Sequence, residues 1–286
     1  MANLKEIRNR ISSVSSTMQI TSAMKMVSAA KLKKAQDAIT AMRPYADKLT
    51  ELLQNLSASL DADSGSKFAD QREVKKVLIV AITSNRGLAG AFNSNIIKQV
   101  NTLTNDTYAN TEVSFLAIGK KANDAFKKTK KVISNNSAVY DDLTFDNVAE
   151  IAELLMDKFL THKADKIVLV YNKFKNAATQ EIMSEQFLPI VPIQSDKNIN
   201  VDYIFEPSKA EIVEQLIPKS LKTQLYKAVR DSFASEHGAR MTAMHKATDN
   251  ATELRDQLKL TYNKARQASI TNEILEIVGG AEALNN

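Results

Sequence analysis

Cysteine is absent from all 286 residues, which excludes disulfide frameworks, thiolate zinc sites and cysteine nucleophiles. Glycine is scarce: the chain has 7, where average usage of about 7% would give roughly 20. Such a composition points to long helices. Extended apolar runs are missing too, the longest being about seven residues around Val77–Ile82, against the ~20 that span a bilayer. The start lacks an apolar leader and turns straight into charged helix, so neither a signal peptide nor an Arg-rich transit peptide is expected. The three histidines, His162, His237 and His245, are scattered without metal-ligand spacing and read as surface or helix-face residues.

What is present is a hydrophobic fraction of 44%, enough for at least one buried core, and a net charge of +5. The excess sits at one end. Residues 1–60 carry 9 Lys/Arg against 4 Asp/Glu, whereas residues 61–207 carry 18 against 19 and residues 208–286 carry 11 against 10. Lys5, Arg8, Arg10, Lys25, Lys31, Lys33 and Lys34 form a basic collar that calls for an acidic partner. The runs Lys31–Lys34 and Lys127–Lys131 lack interleaved aromatics, so nucleic acid is not that partner.

Apolar residues at 3-4 spacing run from Leu4 through Ile7, Ile11, Val14 and Met18, and again from Leu32 through Ala35, Ile39, Met42, Ala46 and Leu49 to Leu60. One helix of about 85 Å is predicted, bent at Pro44. Thr21, Lys25 and Ser28 interrupt the seam, while Ile20, Met24, Met26 and Val27 turn the apolar surface elsewhere, as if toward something other than the partner helix. A second long helix is predicted from Ser208, with the seam Met244, Ala247, Ala251, Leu254, Leu258, Thr261, Ala265 and Ala268. Large residues on one helix and small ones on the other suit an antiparallel two-stranded coil. Between the helices, after a polar linker at 61–66, strands are predicted at Lys76–Thr83, Glu112–Gly119 and Lys166–Lys173. Helices are predicted at Asn93–Thr104, Lys120–Lys128 and Asp146–His162, and an edge strand or loop at Glu181–Ile193. The expected fold is α/β: a long coiled coil of the terminal helices (residues 1–60 and 208–286) around a small Rossmann-like, doubly wound domain (residues 61–207) with a parallel sheet.

The loop Ser84–Asn93 follows the first strand, where such sheets take phosphates, yet it has neither the G-x-G-x-x-G nor the G-x-x-x-x-G-K-[ST] pattern. It reads as a tight strand-to-helix turn or as a phosphate cradle. Two functions stay open: a mechanical coupling subunit, and a nucleotide- or phosphate-binding α/β enzyme with helical extensions. With no acid/base pair or metal cluster in view, the chain alone is expected neither to hydrolyse nor tightly to bind ATP.

Four segments resemble the γ subunit family of F-type ATP synthases: IRNRISSVSSTMQITSAMKMVSAAKLKKAQ (7–36), TSNRGLAGAFN (83–93), SEHGARMTAMHKATDNA (235–251) and YNKARQASITNEILEIVGGAEA (262–283). The second departs at Asn85, Ala89 and Ala91, where many members carry Asp, Cys and Gly. The resemblance implies a non-catalytic rotor subunit without cofactors, turning inside the α3β3 hexamer and standing with ε on the c-ring of Fo. It also implies a peripheral place on the cytoplasmic face of a bacterial cell membrane, and stator contacts at Met24, Lys25 and Arg240 near an acidic β-subunit loop. Arg266, Gln267, Thr271 and Glu276 would form an upper bearing.

Overall fold

The computed structural model describes residues 4–58, 67–190 and 209–285. The expected linker at 61–66, the seam end Leu60 and the expected cap Ser208 lie outside them. Two helices dominate, α1 (Leu4–Ala58) and α5 (Lys209–Asn285), each with one interior proline, Pro44 and Pro218. The chain groups into two compact units, Met1–Ser28 with Met241–Asn286, and Ala29–Arg240.

In the first unit α1 and α5 pair antiparallel. Arg8 donates to the Tyr262 hydroxyl at 2.7 Å, Arg255 reaches the Met18 sulfur at 3.4 Å, and the Thr248 hydroxyl meets that of Thr21 at 2.8 Å, so numbers rise on one helix as they fall on the other. Ile7 is buried, and Leu4, Ile11, Val14 and Met18 are half-buried, as seam positions of a two-stranded coil are. Thr21 and Ser28 do not leave the buried side of the helix. Their hydroxyls donate to the carbonyls of Met18 (3.1 Å) and Met24 (2.7 Å), which removes the cost of burying them. Ile20, Met26 and Val27 do form a separate exposed apolar face.

On α5 the seam departs from expectation. Met244, Ala247, Ala251, Leu258 and Ala265 stay buried or half-buried and Thr248 joins them, but Arg255, Tyr262 and Ser269 replace Leu254, Thr261 and Ala268; Leu254 is 40% exposed. Counting apolar residues misses this because the true seam uses amphipathic ones, whose stems pack while their polar tips find partners across the coil. Ala251→Asp, at a position 8% exposed, should therefore cost about 2 kcal/mol, whereas Leu254→Asp should stay within about 0.5. Urea unfolding of the pure chain compares the two, and equal losses would restore the expected register.

The second unit is built on a five-stranded sheet, β1 (Lys76–Ile82), β2 (Glu112–Ile118), β3 (Val132–Asn135), β4 (Lys166–Phe174) and β5 (Gln180–Leu188), in the order β3-β2-β1-β4-β5. The first four strands run parallel, and β5, in the segment expected as an edge strand or loop, pairs antiparallel with β4. Short β3 was not anticipated, since four residues with a half-exposed pattern carry almost no periodic signal. Three helices connect the strands: α2 (Phe92–Thr102), α3 (Lys120–Phe126) and α4 (Phe145–Leu160).

Both sheet faces are covered, which is why β1 is apolar at every position after Lys76. Val77, Ile79 and Ala81 pack with Ile96 and Val100 of α2 and Phe126 of α3. Leu78, Val80 and Ile82 share a core with Val148 and Leu155 of α4 and with Leu221, Leu225 and Val229 of α5. α1 continues its seam here through Leu32, Ala35, Ile39, Ala46 and Leu49, all buried.

Candidate functional site

Thr83 and Gly119 directly follow β1 and β2, at the carboxyl edge where doubly wound sheets take ligands. In this chain the edge is filled from within. Thr83 Oγ1 accepts from the Ala122 N–H at 2.9 Å, and the Ser84 N–H donates to Asn93 Oδ1 at 3.0 Å. Asn85 Oδ1 accepts the Lys120 N–H at 3.0 Å at the start of α3, while its Nδ2 donates to the Ser137 carbonyl at 2.9 Å. The backbone donors that a phosphate would need are thus spent on the chain's own side chains. Gly119 closes the edge sterically: at φ +108°, a Cβ there would lie 2.1 Å from the Thr83 carbonyl oxygen. Of the two readings of the loop, the tight turn is the one found.

Helix α5 seals the same edge. Ser235 donates to the Asn172 carbonyl at 3.0 Å. Arg240, 7% exposed, gives one N–H to Glu236 at 2.6 Å and reaches the carbonyls of Gly87 and Arg86 at 3.2 and 3.4 Å. Burial holds the Glu236 carboxyl above the usual range, and Arg240 pulls it back down. His237 corrects the surface reading: it is 5% exposed, edge-on to the Phe233 ring at 4.5 Å, and neither ring nitrogen has a partner. Burial, with Arg240 and Lys31 nearby, pushes its pKa down to about 3.

The candidate contact residues fall in three places. Met24 and Lys25 are half-buried on α1, and Arg240 is enclosed in the network just described. Arg266, Gln267, Thr271 and Glu276 are exposed on α5, some 20 residues or ~30 Å of helix beyond the level at which Lys25 pairs. With Arg8 opposite Tyr262, the described part of α1 ends near the level of Arg266. From there α5 continues alone, with Ile270, Ile274, Leu275, Ile277 and Val278 each about half or more exposed. This unpaired apolar stretch went unrecognised in the sequence, although the signal was there: Ile270, Ile274 and Ile277 keep a 3-4 spacing but stand out of register with the seam that ends at Ala268. Among the described residues no group of His, Asp or Glu is placed to hold a metal, and no helix is long and apolar enough to cross a membrane.

The class of protein is thus one that carries an antiparallel coil with an exposed apolar end in one unit and, in the other, a doubly wound sheet whose carboxyl edge is held by the chain's own side chains. A family described as ATP synthase matches residues 3–284. The chain is 75% identical over 285 residues to the ATP synthase gamma chain of Flavobacterium psychrophilum, covering 99% of each, and 55% identical over 297 residues to that of Cytophaga hutchinsonii, covering 100% of each. Among solved structures it resembles a chain of the Euglena gracilis mitochondrial ATP synthase rotor, with a TM-score of 0.65 at 24% identity, covering 93% of this chain and 98% of that one. The chain belongs to the ATP synthase gamma chain family.

Proposed function

We propose that Met24, Lys25, Arg266, Gln267, Thr271 and Glu276 are contacts between this chain and the stator of an F1Fo ATP synthase, with Arg240 acting through the loop it holds. The chain itself is the non-catalytic central-stalk rotor subunit. It couples ion flow through the membrane to ATP synthesis and hydrolysis by turning within the hexamer of α and β subunits above the c-ring. The observation that carries this is the full-length family match joined to a coil whose far end is unpaired and apolar. Exposed Ile274 and Ile277 call for a sheath of partner surface, and Arg266 and Glu276 on the same stretch supply charges to pair with it. The ε subunit completes the partner set, and the complex lies on the cytoplasmic face of a bacterial cell membrane with this chain peripheral to it. The bacterial sources of its relatives and the lack of a spanning helix among the described residues support that place.

The experiment is a ratio. Ala251→Asp loosens the coil between the two proposed contact regions without touching either. In complexes confirmed to retain the subunit, ATP-driven ion pumping should fall at least about threefold further than ATP hydrolysis, because torque crosses that seam and the hydrolytic chemistry does not. Leu254→Asp, on the open face, should leave the ratio at the parent value. An unchanged ratio in Ala251→Asp would remove the coil from transmission.

A further inference from the structure

Of the basic run Lys127–Lys131, no part is used by the coil or by the closed sheet edge. The run does not act as one surface. Lys127 pairs with Asp124 at 3.2 Å, and Lys130 lies over the rings of Phe115 and Phe126 at 4.9 and 5.6 Å. Only Lys131 turns to the opposite, amino-terminal edge of the sheet, at the foot of β3. There it meets Lys76 at the start of β1, Lys158 in the last turn of α4, and Lys163 just before β4, around a cavity of about 320 Å3.

We infer that this cavity is a binding site for a small anion carrying two or more phosphate charges. Four lysines line it, from four separate segments of chain. The one carboxylate in the wall, Glu112, is already held by Lys131 at 2.8 Å. Among the described residues Lys76, Lys158 and Lys163 have no carboxylate within ion-pairing distance. The bland account, that lysines gather to complement the carboxyl end of α4, falls short in charge: a helix end offers about half a negative charge. Glu112 and that half charge leave roughly two and a half positive charges unanswered, which is the complement of a diphosphate rather than of a single carboxylate. The shape agrees. An apolar floor of Leu78 and Ala164 beneath charged walls seats a compact ligand, whereas a flat polyanion would meet the lysines from above and leave the floor empty. Ammonium groups on flexible stems recognise phosphate as point charges and suit a site with no arginine in its wall. The ligand is either free or the headgroup of a phospholipid.

The test uses the full chain and inorganic pyrophosphate, followed by calorimetry at low salt. Binding with a dissociation constant below about 1 mM is expected, weakening steeply as salt shortens the Debye length. The double substitution Lys131→Gln with Lys163→Gln should weaken it at least tenfold. Lys33→Gln with Lys34→Gln, exposed lysines of α1, should leave it unchanged. Flotation with cardiolipin vesicles, whose headgroup carries two phosphates, absent with phosphatidylcholine and competed by pyrophosphate, would confirm the site and name a headgroup as its source. Pyrophosphate binding without flotation would confirm it for a free anion. No pyrophosphate binding at 10 mM (about ten times the expected constant), or equal weakening by both lysine pairs, would overturn the inference. So would capture of polyglutamate through these lysines without any affinity for pyrophosphate.

Discussion

Replacing Arg240 with alanine is expected to destabilise the sheet-bearing unit by about 3–5 kcal/mol at pH 8, because it strips the partner from a carboxylate that is itself only 7% exposed. The carbonyls of Arg86 and Gly87 lose a donor as well, but at 3.2–3.4 Å those bonds are long and contribute less than the 2.6 Å bond to Glu236. The pH dependence identifies the cause. Burial already raises the Glu236 carboxyl, and without Arg240 nothing comparable opposes that rise. A carboxyl with a raised folded pKa gives stability that is present at low pH and lost as pH climbs through that pKa, so the variant's deficit should shrink steadily from pH 8 toward pH 5. Glu236→Gln in the Arg240→Ala background should recover much of the loss at pH 8 and little at pH 5. Urea unfolding across this range reads all three chains. A deficit independent of pH would mean that lost packing, and not a stranded charge, explains the effect.

Protonation of His237 should dominate the first part of the acid limb. Its ring is buried without a partner for either nitrogen, and its pKa is depressed to about 3. The sign follows from the unfolded chain, where an imidazole protonates near 6.5 and the folded one does not. Stability is therefore complete above pH 6.5 and falls below it, by about 1.4 kcal/mol at pH 5.5 and at a slope approaching 1.4 kcal/mol per unit thereafter. Glu236, one residue away, works in the opposite sense: its raised carboxyl takes up a proton early and offsets part of the loss at lower pH. Arg240 and Lys31 oppose a positive imidazole. His237→Phe, which keeps an aromatic ring against Phe233, should flatten the profile between pH 7.5 and 5.5. If the variant loses stability over that interval as the parent does, another group is responsible.

These two residues also show where the sequence was readable and where it was not. The long helices, β1, β2 and β4 were legible because burial on one face or on two leaves a period of 3.6 or an unbroken apolar run. The doubly wound architecture followed from strand–helix alternation. The fine register of α5 was not legible: Thr248, Arg255 and Tyr262 enter the seam through polar contacts with Thr21, Met18 and Arg8 that exist only once both helices are side by side. The enclosure of Arg240 was hidden for the same reason, since the carbonyls it reaches come from the loop at Arg86, some 150 residues away in sequence. Of the proposed contacts, Arg266, Gln267, Thr271 and Glu276 are exposed on α5. Arg240 is the exception, because its donors already face inward.

Where the described part of α1 ends and α5 goes on, the cross-section of the first unit changes. Two helices side by side, each about 10 Å across, make an oblong section, long one way and short the other. A partner surrounding it is pushed differently at each angle, as by a cam. Past Arg266 the section is that of one helix, nearly round, with apolar side chains at Ile270, Ile274 and Ile277 to slide against an enclosing wall without a preferred ion pair at each step. An oblong shank below and a round pivot above divide the labour of a turning part: the first converts angle into displacement, and the second keeps the axis from wandering while it does so.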